Sequence, residues 1–271
     1  MSYQIRPARA EDLDLVAQWT SDTFAWGDYI EDRFLQWLDD DQGLVLVATD
    51  NDLPWALVRT TMLSDDEAWI HAARVHPDHR RRGLATELND AGRRWAVERG
   101  GRVVRLAIEQ WNQPARRQVE GMGYRPVSSW LSASFGSEPG PSTMSVTPDH
   151  GAAWIDWNRT ELMAAGRGLF TFAWDWRRLR PDDLGGLAAR RSLYEAGWGW
   201  AAAEVQDDVL VCGWMSTGPE GCSELLASLA SAAARHSASV LVKVPDLTWV
   251  RSALVERSAT WQEVIVYTMP L

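Results

Sequence analysis

The amino-acid sequence predicts an α/β fold of the α+β kind, a mixed and mostly antiparallel central sheet flanked by helices. Segments of period-two apolar alternation take turns with segments of helical spacing, and turn signals such as Asn51-Asp52 join strand to strand. The length, 271 residues, gives each of two halves enough chain to bury its own core.

Ile5-Arg6-Pro7 reads as a short strand and Ala10 to Phe24 as a helix with Leu13, Val16, Ala17 and Thr20 on one face. A second helix, Tyr29 to Leu38, ends in the acidic turn Asp39-Asp40-Asp41. Gly43 to Thr49 and Trp55 to Met62 form an expected antiparallel hairpin, and Ala68 to Val75 is the next strand. Pro77 to Arg82 is a polar loop, and Ala85 to Arg99 an amphipathic helix closed by Gly100-Gly101. Val103 to Ile108, Asn112 to Glu120 and Tyr124 to Ser132 continue as strand, helix and strand. The stretch Gly136 to Ser142 is rich in Gly, Pro and Ser, which divides the chain into expected domains 1–138 and 143–271. In the second, Glu224 to Arg235, Val240 to Val244, Trp249 to Arg257 and Glu263 to Met269 replay the helix-strand-helix-strand order that closes the first.

Apolar residues make up 46% and charged residues 24%, the balance of a folded globular protein. The formal charge of −10 argues against nucleic acid, whose affinity comes from clustered cations, and favours a cationic or neutral small acceptor. Cys212 and Cys222 have no ligand spacing, so no thiolate metal site or disulfide framework is expected. His71, His76 and His79 do not make a metal site either, the last two belonging to the polar loop. No apolar run suits a membrane or export signal, and the expected compartment is cytoplasmic.

The stretch Ala73 to Ala85 concentrates the chemistry. A turn entering a helix N-terminus leaves backbone N–H groups unpaired, and these together with the helix dipole attract a diphosphate. Gly83 lets the backbone approach it, Ala85 keeps the first helical turn uncrowded, and Arg80, Arg81 and Arg82 can add charge-assisted hydrogen bonds.

Arg80, Gly83 and Ala85 resemble the R/Q-x-x-G-x-G/A signature of the GNAT (GCN5-related N-acetyltransferase) superfamily. Val75 and Pro77 stand where the family carries V-x-P, and Asn112, Ala115 and Gly123-Tyr124 where it carries N-x-x-A and a terminal G-F/Y pair. The match spans roughly residues 3 to 130. It implies a GNAT fold and acetyl-CoA or another acyl-CoA as cofactor, while the repeated element order makes the second half either a degenerate GNAT-like duplicate or a chance likeness of generic α/β elements. By resemblance Ala73, Arg74 and Val75 take the pantetheine arm, and Arg80, Arg81, Arg82, Gly83, Leu84, Ala85 and Thr86 the pyrophosphate. Asn112 is implied near the thiol end and Arg116 at an adenosine phosphate, although Asn112 also suits a plain helix N-cap.

The proton-transfer groups depart from the family. Val119 stands at the usual general-acid tyrosine and Trp69 at a frequent general-base position. Strand alternation puts Glu67, Trp69, His71 and Ala73 on one face, which makes His71 and Glu67 the candidate catalytic groups flanking the missing base. Each also has an ordinary structural reading, His71 as a hydrogen-bonded strand histidine and Glu67 as a carboxylate beside a turn. Tyr29 and Asp32 are candidates for the acceptor border.

The implied activity is transfer of an acetyl or other short acyl group from acyl-CoA to an amine of a small molecule. A CoA-binding module without turnover, or another acyl-thioester reaction such as decarboxylation, uses the same cleft. The second half carries Gly218-Pro219-Glu220-Gly221 in place of the arginine loop and is not expected to bind CoA. Trp174, Trp176, Trp198 and Trp200 are available to cover the first half's acceptor side or to pack its own core. The oligomeric state is not legible.

Overall fold

The computed structural model describes residues 3–24, 27–141 and 143–271. Met1, Ser2 and Ser142, the last closing the expected linker, lie outside the described residues. Contacts gather the chain into two compact units: Met1–Leu106 with Gly121–Tyr124 and Thr268–Leu271, and Ala107–Glu120 with Arg125–Tyr267. A single cut between 138 and 143 therefore does not describe these units, which trade short segments. The last four residues join the first unit because Leu271 N donates to Arg102 O at 2.9 Å and Thr268 Oγ1 to Val104 O at 3.5 Å.

The first unit is a sheet with strand order β1 (Gln4–Pro7), β2 (Gly43–Asp50), β3 (Leu53–Met62), β4 (Glu67–Val75) and β5 (Val103–Glu109). β1 to β4 pair antiparallel, and β4 and β5 parallel. Helices α1 (Leu13–Thr20) and α2 (Ile30–Leu38) bury Val16, Ile30, Phe34 and Trp37 against Val45, Val47 and Leu57. α1 stops earlier than its apolar spacing suggests. Thr20, Ser21 and Thr23 turn their hydroxyls back onto the carbonyls of Val16, Gln18 and Thr20, the local bonding by which such residues end helices. Helix α3 (Leu84–Glu98) covers the opposite face, where Gly92 lets it close on Thr60 and Ile70.

In the second unit the strand order is β14 (Thr260–Pro270), β6 (Arg125–Phe135), β13 (Ser239–Pro245), β12 (Val209–Thr217), β11 (Gly199–Gln206), β10 (Leu193–Ala196) and β7 (Ser145–Val146). β14 runs on into the first unit at Thr268. Helices α4 (Gln113–Gly121), α5 (His150–Trp157), α6 (Glu161–Gly166), α7 (Pro181–Ala189), α8 (Cys222–Ala234) and α9 (Thr248–Glu256) complete it, with a small hairpin of β8 (Leu169–Phe170) and β9 (Arg177–Arg178). The order β12, α8, β13, α9, β14 matches β4, α3, β5, α4, β6, including one parallel strand pair in each. Trp176 and Trp200 are buried within this unit, Trp176 edge-on to Trp130 at 5.9 Å and Trp200 donating to Asp156 at 3.0 Å, whereas Trp198 is 37% exposed. No helix among the described residues is long and apolar enough to cross a membrane.

A Cβ at Gly92 falls on Thr60 Oγ1 and lies 3.6 Å from Ile70 Cδ1. Gly92→Val should therefore lower the unfolding free energy by about 1–3 kcal/mol through overpacking. Urea denaturation checks this, and an unchanged midpoint would mean that α3 does not pack on β3 as described.

Candidate functional site

β4 stays paired with β3 along its whole length but with β5 only through Glu67–Val103, Ala68–Val104 and Trp69–Arg105. Beyond Trp69 the strands part, so the β5-facing edge of β4 from Ile70 to Val75 has no strand partner among the described residues. Glu67 is buried at the closed end of this wedge, and its carboxylate meets the Arg105 guanidinium at 3.0 Å. Buried and so paired, it ties β4 to β5.

The open part of β4 is also bulged. Leu57 pairs with Arg74 and Arg59 with His71, so three steps on β4 face two on β3, and Ala72 takes the left-handed conformation at φ 56°. This corrects the expected alternation. Glu67, Trp69 and His71 share a face, but the extra residue carries Arg74 onto it in place of Ala73. Ala72 is buried and Ala73 exposed.

His71 thus stands between two guanidiniums, with its ring edge-on to Trp37 at 5.3 Å. Arg59 is buried, lies over Trp37 at 5.0 Å and is ion-paired with Asp40. Arg74 pairs with the buried Asp28 at 2.7 Å and lies over Phe24 and Tyr29 at 5.0 and 5.6 Å. Burial, then Arg59 and Arg74, push the His71 pKa down to about 3. The ring is neutral at neutral pH. Tyr29 packs on Trp37 at 5.9 Å, and Asp32 lies exposed on α2. Arg59 was not among the expected site residues, and its signal in the sequence is a single charged residue inside a largely apolar strand.

The loop after β4 is set by aromatic contacts. His79 stacks on Trp55 at 4.4 Å, and His76 meets Trp55 and Trp19 edge-on at 5.1 and 6.0 Å. His76 Nδ1 accepts from Asp78 N, capping a turn of 3-10 helix over Pro77–His79. Arg82 donates to Tyr3 OH and to Asp78 O, each at 3.0 Å, while Tyr3 OH bonds His79 Nδ1 at 2.8 Å. Desolvation, with Arg82 second, holds the His79 pKa below its ordinary value. Arg80 Nε donates to Val75 O at 3.3 Å. Arg81, at φ 61°, points no side-chain donor at any described residue.

Gly83 is the N-cap of α3 at φ 84° and has no side chain to cap it, so the first N–H groups of the helix have no side-chain cap behind three exposed arginines. These donors suit a diphosphate: the dipole adds positive character, and the space at Gly83 is open, a Cβ added there meeting nothing nearer than Glu87 Oε1 at 3.9 Å. Leu84 is buried and anchors the turn, while Ala85 and Thr86 are half-buried.

Asn112 and Arg116 belong to the other compact unit. Asn112 Oδ1 accepts from Ala115 N at 3.3 Å, the N-cap role. Arg116 donates to Tyr267 OH at 3.2 Å and Gln110 O at 3.1 Å. Val119 is buried there too. In the first unit Tyr124 is fully buried and donates to Asn89 at 3.1 Å, and burial pushes its pKa up to about 12, which leaves it a packing phenol.

The second unit repeats the wedge with different contents. β12 pairs with β13 through Val209–Ser239 to Cys212–Val242, then parts from it, and is bulged against β11 at Gly213. At the start of α8 the Glu220 carboxylate folds over Gly218, where an added Cβ would lie 2.6 Å from Oε1. Trp198 presses on Gly221 in the same way, at 2.6 Å from its Cβ to the added one. An acidic, filled turn replaces the basic, open one.

The Acetyltransferase (GNAT) family model matches residues 13–124. Among solved structures, a GCN5-related N-acetyltransferase from Sphaerobacter thermophilus is similar at a TM-score of 0.68 and 16% identity, over 99% of this chain and 95% of that one. A provisionally designated acetyltransferase from Thermoplasma acidophilum is similar at 0.63 and 17%, over 99% and 100%. One from Pyrococcus horikoshii, likewise provisional, is similar at 0.59 and 15%, over 99% and 89%. Identities of this order carry the fold alone. No curated protein matches the sequence.

His71 gives a pH test. In the unfolded chain it takes a proton near its ordinary 6.5, in the folded chain only near 3, so its contribution to stability is present above pH 6.5 and lost as pH falls towards 3. Across that window His71→Gln should remove up to about 1.4 kcal/mol per pH unit of the dependence. Unfolding free energies of parent and variant that run parallel between these limits would contradict the buried, cation-flanked imidazole.

Proposed function

We propose, from the match of the Acetyltransferase (GNAT) family model to residues 13–124, that the protein transfers an acetyl or other short acyl group from acyl-CoA to an amine of a small molecule, by direct attack in a ternary complex. One conjunction carries this reading. Within a single unit, a helix N-terminus without a side-chain cap behind Gly83 follows a strand whose edge is open from Ile70 to Val75.

Acyl-CoA, the family's cofactor, supplies an activated thioester carbonyl. The chain's own contribution is to bind and orient it. The N–H groups of Gly83 to Thr86 and the arginines at 80 to 82 receive negative charge, with Arg81 the least committed of the three. The backbone of Ala73, Arg74 and Val75 offers strand-like hydrogen bonds on the open edge. Asn112 and Arg116 enter this reading from the family resemblance alone.

Amine attack needs a free base and a route for its proton. We assign His71 a relay role from its place beside the open edge of β4: with its pKa pushed down to about 3, by burial first and then by Arg59 and Arg74, it is too weak a base to hold a proton and can only pass one on. Glu67, committed to Arg105, is assigned to holding the wedge. The net charge of −10 favours cationic amines. The second unit is read as a degenerate GNAT-like domain arising by duplication near residues 138–143, in support of which stand its matching element order and bulged, parting strands. A second reading, binding without turnover, is favoured by the buried Trp69 and Val119 at the family's proton-transfer positions.

Gly83→Asp puts a carboxylate and an unfavourable backbone angle at the turn and should weaken CoA binding at least tenfold by calorimetry. Undiminished affinity would remove the loop from the site. Intact-mass screening of small amines with acetyl-CoA and longer acyl-CoAs separates the two readings: an acyl mass gain on an acceptor supports transfer, and binding without any gain supports the non-catalytic module. With an acceptor in hand, His71→Gln should lower kcat by about 100-fold with CoA affinity kept. An unchanged kcat would make His71 structural.

A further inference from the structure

The wedge of the second unit has an occupant from its own chain. The first residues beyond the β12–β13 pairing are Gly213 on one arm and Lys243 on the other. The tip of the β8–β9 hairpin reaches both. Thr171 N donates to Gly213 O at 3.3 Å, and Lys243 Nζ donates to Phe172 O at 3.1 Å. The approach to β12 is so close that only glycine fits, since a Cβ on Gly213 would fall on Thr171 O and lie 2.7 Å from Phe172 Cγ and 2.9 Å from Phe172 Cα.

The tip is built to hold that position. Thr171 Oγ1 donates to Asp175 Oδ1 at 3.2 Å and accepts from Asp175 N at 3.3 Å, which closes the turn on itself. Behind it Trp176 is buried beside Trp130 and Trp174, at ring distances of 5.9 and 5.4 Å. Lys243, the chain's sole lysine, is buried at 5% exposure, and its ammonium donates to the Phe172 carbonyl and is attracted by the Asp175 carboxylate.

We propose that Thr171–Phe172 is a built-in stand-in for a pantetheine arm, a peptide strap that fills the second wedge and, together with the Glu220 turn, closes that unit to CoA. This rests on the reading of the first wedge as the acyl-CoA cleft. An amide-bearing extended segment is a chemically apt substitute, because a pantetheine arm also presents amide N–H and C=O groups to a parted strand edge. Two independent changes close one site: a strap where the arm would run, and a carboxylate where the diphosphate would sit.

Hydrogen exchange with peptide-level resolution on the full chain, combined with CoA titration, tests the strap. In the parent the Thr171 amide should be protected and one CoA should bind per chain. Gly213→Ala should raise Thr171 exchange by at least about tenfold while α8 stays protected. Should that variant fail to fold, Lys243→Met, which removes the other anchor, should raise exchange across 171–175. A parent in which Thr171 exchanges like a free amide, a folded variant with unchanged exchange, or two CoA equivalents bound by the parent would overturn the proposal. A parent that binds no CoA would sink the reading of the first wedge, while the exchange data would still decide whether the strap is seated.

Discussion

Two parallel strands that separate after a few residues leave a row of backbone N–H and C=O groups facing nothing, and buried backbone groups must be paired. β4 and β5 part after three residue pairs, β12 and β13 after four. Everything distinctive about either unit follows from how that row is satisfied. In the first it is left on an open strand edge beside a basic turn. In the second, one amide of the chain itself, Thr171 N–H, meets the Gly213 carbonyl, and position 213 has room only for glycine because the two backbones come within side-chain distance.

The turns that follow the wedges answer the same constraint at the helix end. α3 begins at a left-handed glycine with no cap, which leaves donors and dipole for an external anion. Aromatic packing of His76 and His79 on Trp55 fixes the loop without consuming those donors, and the neutral His79 adds no charge of its own. At α8 the space is taken by Glu220 and Trp198, while each helix carries one acidic residue in its first turn, Glu87 in α3 and Glu224 in α8. One turn is kept available, and the other is finished.

The motif Arg80 to Ala85 was legible because its requirements are local: a residue that tolerates positive φ, small neighbours and cations ahead of a helix. Element order was legible too, since apolar spacing reports it directly, and most segments fall within a few residues of their expected bounds. The bulge at Ala72 was not, because an alanine at φ 56° leaves no signal in composition, and one extra residue exchanges Ala73 for Arg74 on the His71 face. The ionic surroundings of His71 were hidden for the same reason. Asp40 reaches Arg59 and Asp28 reaches Arg74 across long stretches of sequence, and these pairs form only once β3, β4 and α2 are placed. The composition of the linker suggested one cut, but which strand ends belong to which compact unit is decided by long-range pairing at Thr268–Leu271, about which local composition is silent.

The two halves also explain how a repeated topology can keep so little sequence in common. The shared requirement is geometric, a parallel pair that parts beside a bulge, and many apolar sequences meet it. What must differ is the chemistry at three places: the bulge, the first residue past the pairing, and the helix cap. In the first unit these are Ala72, Ile70 and Gly83, and in the second Gly213 serves as both bulge and first unpaired residue, with Gly221 as the cap. Gly213 admits a peptide at the position where the first unit carries Ile70. At the helix start Glu220 packs over Gly218, where the first unit leaves Gly83 open. On the strap proposal these are two independent closures of one site, one at the strand edge and one at the helix start.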